Sequence, residues 1–226
     1  MEHPLDNPVW NALISGNSHL SHGNDVVKYF SKDVSPFVGL RENTEENLNL
    51  LHEMLPYNHQ WAVMSPEEIP VSKNWKILDQ IDIFQMIHLK TSPENPDDET
   101  IMALHEENVP AMLYLTKLTQ PGPFESQTIR FGHYEGIFIQ DRLASMAGQR
   151  LHPFEYAEIS AVCTHPDFSG RGLATKILSH QIHRIKSASG IPILHVDRGH
   201  PRTIHFYEHL GFEIRKALTV FIIENC

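Results

Sequence analysis

The residues Phe168-Ser-Gly-Arg-Gly-Leu-Ala174 stand between two stretches of different period. Upstream, Glu155 to Thr164 is rich in apolar and β-branched residues and reads as a long strand. Downstream, Leu173, Ile177, Leu178, Ile182 and Ile185 line one face of a helix from Gly172 to Ser189, which Gly190 and Pro192 bring to an end. The segment between is therefore a strand-to-helix turn with glycines at 170 and 172. Glycine reaches backbone conformations closed to other residues, so successive N–H groups can point into one concavity. These groups are also the unpaired donors of a helix N-terminus, where the macrodipole adds about half a positive charge. A pyrophosphate could dock there without a side-chain base. A bare Gly-x-Gly serves equally well as a plain connection, so the context has to decide. Neither the GxxxxGK[ST] phosphate loop nor GxGxxG occurs, which counts against nucleotide-hydrolase and dinucleotide folds.

Outward from this turn, Ile101 to Leu104 reads as a short strand and Glu106 to Leu118 as a helix. Gly136 to Gln140 is a strand joined by a turn at Asp141-Arg142 to Leu143 to Gln149, so a hairpin is expected. Beyond the long helix come a strand at Ile193 to Val196, a helix at Arg202 to Leu210 and strand structure from Phe212 to Glu224. The class is α/β in the α+β sense, with strands and helices sharing one mixed sheet. Thr91 to Glu99 is polar, holds two prolines and has no periodicity, which marks a linker or long loop between a module at 1–95 and a domain at 100–226. In the first module Pro36 to Leu40 and Gln60 to Met64 read as strands. Thr44 to Leu55 reads as a helix that opens with Thr44, Glu46 and Asn47 and buries Leu48, Leu51 and Leu55. This half carries no chemical motif.

Composition narrows the function classes. At 226 residues, one large or two small domains are admissible, and 41% apolar with 20% charged residues is ordinary for a globular chain. No apolar run approaches a membrane span, and MEHPLDNPVW lacks the regions of a signal peptide, so a cytoplasmic location is expected. Cys163 and Cys226 make no disulfide framework, and the 16 histidines are scattered without HExxH, so no metal is expected. The net charge of −10 argues against nucleic acid or anionic membrane as partner. Yet between His165 and Lys216 eight cations (Arg171, Lys176, Arg184, Lys186, Arg198, Arg202, Arg215, Lys216) face four anions (Asp167, Asp197, Glu208, Glu213), a local excess that suits a small polyanion.

The stretch Glu158-Ile-Ser-Ala-Val-Cys-Thr-His-Pro-Asp-Phe-Ser-Gly-Arg-Gly-Leu-Ala174 resembles the acetyl-CoA motif of GCN5-related N-acetyltransferases, the GNAT superfamily. A second stretch, His200-Pro-Arg-Thr-Ile-His-Phe-Tyr-Glu-His-Leu-Gly-Phe212, resembles that family's late helix, Asn-x-x-Ala-x-x-x-Tyr-Glu-x-x-Gly-Phe. Together they are most similar to the FR47-like branch and, through it, to glycine N-acyltransferases. The resemblance covers residues 100–226; before that it is one of organisation only. Ser169 stands where the family usually has Arg or Gln, and His200 where it usually has Asn.

The resemblance implies a GNAT fold, a mixed and mostly antiparallel sheet flanked by helices, with a degenerate GNAT-like N-terminal half. It implies acetyl-CoA as co-substrate, with Ser169, Gly170, Arg171, Gly172, Leu173 and Ala174 around the pyrophosphate and His200 at the cofactor arm. Val162 and Thr164 would pair with the pantetheine amides along an edge that splays from the strand at Ile193 to Val196. Tyr207 would lie near the thioester sulfur. The partners implied are acetyl-CoA and a small-molecule or peptide amine, in a monomer or homodimer.

The chemistry sets its own demands. An amine of pKa about 8 to 10.4 must lose a proton before it attacks. Glu158 is the expected base, at a place where some family members carry a catalytic glutamate, its pKa raised by burial; His152 and His195 are alternatives. Tyr207 would give a proton or hydrogen bond to the departing thiolate. The backbone N–H of Cys163 would meet the oxyanion, while the Cys163 thiol is a small buried hydrophobe. Three readings follow: N-acetyl transfer from acetyl-CoA to a primary amine by direct attack in a ternary complex, a catalytically inactive acyl-CoA-binding regulatory module, and a phosphate-binding domain. The amine is not legible in the sequence.

Overall fold

A computed structural model describes residues 3–91 and 100–226, so the expected linker lies, apart from Thr91, outside the described residues. The chain runs through α1 (Pro8–Leu13), β1 (Ser21–Gly23), β2 (Val27–Phe30), β3 (Phe37–Leu40), α2 (Glu45–Met54), β4 (Trp61–Ser65), β5 (Trp75–Ile87), β6 (Ile101–Ala103) and α3 (Val109–Thr119). It continues with β7 (Glu135–Ile139), β8 (Arg142–Gln149), β9 (Tyr156–Thr164), α4 (Leu173–Ser187), β10 (Ile191–Asp197), α5 (Pro201–His209) and β11 (Glu213–Asn225). The elements expected from sequence are present with ends shifted by a few residues. At α2 the Thr44 hydroxyl accepts from the Asn47 amide at 3.2 Å, the cap its position suggested.

All strands join one sheet, in the order β1-β2-β3-β4-β11-β5-β10-β9-β8-β7-β6. Among the described residues, only β3–β4 and β9–β10 pair in parallel, each joined by a crossover helix, α2 or α4; the other pairs are antiparallel. Apart from the edge strand β6, the order is palindromic: β1-β2-β3-β4 followed by β11 mirrors β7-β8-β9-β10 followed by β5. Each half thus sends its last strand into the other half, and β5 pairs with β11 from Ile87 opposite Glu213 to Trp75 opposite Asn225.

The strand β5 was not anticipated. Ile77, Ile81 and Ile83 alternate with Lys76, Gln80 and Asp82, but the rhythm breaks at Leu78-Asp79. There the register shifts, with Ile222 opposite Asp79 and Ile223 opposite Ile77, so a bulge hides the period.

Helices cover both faces. On one, Ile177, Leu178, Ile182 and Ile185 of α4 and Tyr207 of α5 pack on Met86, Ala147, Ile159, Leu194 and Val196. On the other, Leu13 of α1 and Met112 and Leu115 of α3 share a cluster with Met64, Ile83, Ala161, Cys163 and Leu218. A third cluster forms around α2, where Leu48 and Leu51 meet Trp61, Trp75 and Phe221, and the Trp75 indole donates to the Leu48 carbonyl at 2.9 Å. No helix among the described residues is long and apolar enough to cross a membrane.

Candidate active site

The glycine turn forms as its sequence requires. Gly170 and Gly172 take φ of +74° and +75°, the left-handed region that L side chains rarely adopt, and a Cβ added at either would meet nothing within 4 Å. The space above the turn is open, and α4 begins directly after it at Leu173. Ser169, Gly170, Arg171 and Gly172 are exposed, whereas Leu173 turns into the core and anchors the helix start. The Arg142 and Arg171 guanidiniums each lie 5.2 Å from the centroid of the Phe168 ring. Arg142 also donates to His165 and to Asp167, both at 2.9 Å. Two guanidiniums beside open backbone donors favour an anion. Arg142 comes from the β7–β8 hairpin and was missed, because nothing in sequence places that turn beside residue 168. His200 precedes α5 and is exposed, with its Nδ1 3.4 Å from Asp197.

Downstream of Glu158 the sheet opens. Pairing of β9 with β10 covers only Tyr156 to Glu158 against Ile191 to Ile193, yet the strands continue to Thr164 and Asp197. On its other edge β9 pairs with β8, Met146 opposite Cys163 and Ser145 opposite Thr164, and the His165 amide donates to the Ala144 carbonyl at 2.8 Å. Antiparallel ladders alternate. A hydrogen-bonded pair at Ala144/His165 therefore makes Met146/Cys163 the next such pair. The amide and carbonyl of Cys163 point to β8, where the Ser145 hydroxyl also donates to the Cys163 carbonyl at 3.0 Å. The backbone groups of Val162 and Thr164 point into the gap, as expected of them. The Cys163 N–H does not, which corrects its assignment as oxyanion donor; the amides over the gap are those of Val162 and Thr164. A bulge with Ala161 at φ +52° sets this phase.

Glu158 departs from expectation more sharply. It is 1% exposed. Arg150 donates to it twice, Nε to Oε2 at 3.0 Å and Nη2 to Oε1 at 2.6 Å, and the Leu151 amide donates to Oε2 at 3.3 Å. His195 Nδ1 lies 2.8 Å from Oε1. Burial alone would raise the carboxyl pKa; the Arg150 guanidinium, with His195, overrides it and holds the group far below the usual carboxylate range. Glu158 is thus a fully engaged carboxylate, and the expected rise toward a useful base does not occur. His195 is equally engaged. The Gln85 amide nitrogen donates to the Leu5 carbonyl at 2.9 Å and reaches His195 Nε2 at 3.1 Å, so Nε2 accepts and Nδ1 carries the proton to Glu158. Gln85 Oε1 accepts from Arg215 at 2.7 Å, and Arg215 pairs with Asp6 at 2.6 Å. One polar chain so runs from Arg150 across β9, β10, β5 and β11 to the N-terminal segment. His152, the other alternative base, is pushed down to about 4 by burial, and its buried Nε2 has no partner.

Tyr207 is buried on α5, with its ring edge against Phe212 at 6.1 Å. Burial, with a smaller contribution from Cys163, pushes its phenol up to about 12, so it stays protonated at neutral pH. Burial likewise pushes the Cys163 thiol up to about 12, which keeps it a thiol rather than a nucleophile. A cavity of about 570 Å³ lined by His105, Arg130, His133, Glu135 and Arg184 opens at the other end of α4, and none of the expected site residues lines it. Among the described residues no group of three or more His, Cys, Asp or Glu could hold a metal ion.

The family model for FR47-like proteins matches residues 134–221. Among solved structures, a protein of the GNAT acetyltransferase family from Novosphingobium aromaticivorans is 32% identical over 100% of both chains, with a TM-score of 0.92. A GCN5-related N-acetyltransferase from Kribbella flavida superposes with a TM-score of 0.62 at 14% identity, over 98% of this chain and 95% of that one. None of the curated proteins matches.

Proposed function

The chain belongs to the GNAT superfamily, in its FR47-like branch, and from that premise we propose that it transfers an acetyl group from acetyl-CoA to a primary amine by direct attack in a ternary complex. One observation carries the reading: β9 and β10 part after Glu158, with the backbone of Val162 and Thr164 turned into the gap and β9 leading into the glycine turn at the start of α4, while Tyr207 of α5 lies within electrostatic reach of Cys163 on β9. The fit to the cofactor is specific at the turn, where left-handed glycines leave open space over a helix N-terminus flanked by Arg142 and Arg171. Ser169 to Ala174 would hold the pyrophosphate, Val162 and Thr164 the pantetheine amides, and His200 the outer arm.

In the reaction the neutral amine attacks the thioester carbonyl, and the amide N–H of Val162 or Thr164 stabilises the oxyanion. The attack forms the C–N bond, and collapse of the tetrahedral intermediate re-forms the carbonyl and breaks the C–S bond. The thiolate takes a proton from the Tyr207 phenol, and the ammonium proton leaves to water, since Glu158 and both ring nitrogens of His195 are held in hydrogen bonds and burial makes the His152 imidazole a weak base. The phenol is then reprotonated from solvent. The same lack of a free base favours the second reading, an acyl-CoA-binding regulatory module without catalysis. We further read residues 1–95 as a degenerate copy of the GNAT unit, supported by the palindromic strand order and by α2 standing where α4 stands.

Calorimetry with CoA and thiol release with acetyl-CoA and an amine panel test the reading. Gly172→Glu puts a carboxylate where the pyrophosphate belongs, and CoA affinity should fall at least 100-fold. The positive φ adds strain of about 1 kcal/mol, so the melting temperature is measured beside it. Unchanged affinity would remove the cradle. CoA binding without amine-dependent thiol release would favour the regulatory module.

A further inference from the structure

None of the residues proposed for acyl transfer lines the cavity of about 570 Å³ at the far end of α4. Arg184, which does line it, stands eleven residues after Leu173, so it lies about 16 Å along the helix from the glycine turn at about 1.5 Å per residue.

The wall of this cavity is held by buried polar groups. Glu135 is 4% exposed and Gln181 is 0% exposed. The Glu135 carboxylate accepts from His180 Nδ1 and Gln181 Nε2, both at 2.8 Å, and from Arg184 Nη1 at 3.1 Å. Gln181 Nε2 also donates to the His133 carbonyl at 2.7 Å, and Gln181 Oε1 accepts from Gln149 at 3.0 Å. Apolar side chains would fill the contact between α4 and β7 without the cost of burying a carboxylate. What the network achieves is placement. It fixes His133, whose backbone takes a left-handed φ of +56°, and it fixes Arg184, whose Nε donates to His133 Nδ1 at 3.2 Å. Burial and the Arg184 guanidinium push the imidazole below its ordinary pKa, so Nε2 carries the proton of a neutral ring and is a donor. Arg184 Nη2 has no partner among the described residues.

Arg130, Glu106 and Glu107 line the same cavity and are exposed, and none of the three forms an ion pair among the described residues. Opposite charges that line one cavity without reaching each other leave a space that a ligand bearing both charges closes. A bare anion would meet two unpaired carboxylates, and a bare cation two guanidiniums. Leu104 and Tyr134, both buried, give the same cavity an apolar floor.

We propose that this cavity is a second ligand site, for a free amino acid with an apolar side chain: the carboxylate on the guanidiniums of Arg130 and Arg184, the ammonium toward Glu106 and Glu107, and the side chain over Leu104 and Tyr134. The site does not depend on the acyl-transfer reading.

Calorimetry on the full chain in the presence of CoA tests this, with phenylalanine, phenylpropanoate, phenylethylamine and inorganic phosphate as probes. Phenylalanine should bind saturably in the millimolar range or below, and at least tenfold more tightly than each of the other three. Arg130→Gln should weaken phenylalanine at least tenfold, and so should the double variant Glu106→Gln with Glu107→Gln. CoA affinity should stay within twofold and the melting temperature unchanged in both, because these side chains are exposed and remote from the glycine turn. Absence of saturable phenylalanine binding to the parent overturns the proposal, and so does parental affinity in the Arg130→Gln chain. Phosphate or phenylpropanoate bound as tightly as phenylalanine overturns the assignment to an amino acid.

Discussion

Neutralising Glu158 would strand Arg150, because the guanidinium is buried and both of its short contacts are to that carboxylate. Glu158→Gln should therefore cost about 3 to 5 kcal/mol at neutral pH, the usual consequence of breaking a buried pair from one side. The pH dependence gives a second handle. The folded pKa of Glu158 lies below the unfolded value of about 4.5, so its contribution is fully present above that value and is lost as pH falls below it. Urea denaturation at about pH 7 and pH 3 should show the parent–variant difference shrinking in acid; an equal difference at both would contradict the account. Tyr207→Phe probes chemistry instead. It keeps the ring against Phe212 and removes only the hydroxyl, so stability should change by no more than about 1 kcal/mol. If the phenol serves the leaving thiolate, kcat should fall by roughly 10² to 10⁴ with KM for acetyl-CoA within a few-fold. A kcat within threefold, where chemistry limits turnover, would take Tyr207 out of the mechanism. That Glu158 lies on a strand and Tyr207 on a helix was readable in sequence; the protonation behaviour of Glu158 was not. It depends on Arg150, eight residues earlier, and on His195, on another strand.

Among the elements, those with an unbroken period were legible. α4 shows a clean apolar face, α2 its cap, and the β7–β8 hairpin its turn, where Gln140 and Asp141 take φ of +50° and +59°. Even the divergence of β9 and β10 was expected, although only through the resemblance. What failed is instructive because β5 is the longest strand together with β11, each of 13 residues, and lies at the middle of the sheet. Its bulge inverts the faces at Leu78-Asp79, and Lys76, Leu78, Asp79, Gln80 and Asp82 stay exposed. Periodicity reports a strand only where one face is buried throughout. The same limit hid Gln85, which sits on β5 and joins the polar chain through His195 and Arg215. β9 shows the converse: Cys163 alternates with Val162 and Thr164 along the strand, so an oxyanion donor at the Cys163 amide was incompatible with the same strand turning Val162 and Thr164 into the gap.

At the scale of the molecule, the described strands on either side of residue 95 join one sheet. β5 lies between β10 and β11, and β11 lies between β4 and β5, so each half completes the other's hydrogen-bond ladder. The exchange also reaches the site, since Gln85 on β5 orients His195 and Arg215 on β11 holds Asp6. A fragment of residues 100–226 would lose β5, leaving β10 with one unpaired edge along Ile193 to Asp197 and β11 with none of its partners. It would expose Leu194, Val196, Leu218, Phe221 and Ile223, which are buried in the whole chain. Unpaired edges and exposed apolar strands favour aggregation. The fragment alone should therefore show no cooperative thermal transition and no CoA binding, although it holds every residue of the glycine turn. Co-expressed with residues 1–95, it should recover a soluble complex, because the long β5–β11 and β10–β5 ladders can form between two chains as well as within one. A fragment that folds alone and binds CoA with the affinity of the full chain would show that the C-terminal half closes its own sheet, and that the strand exchange is dispensable.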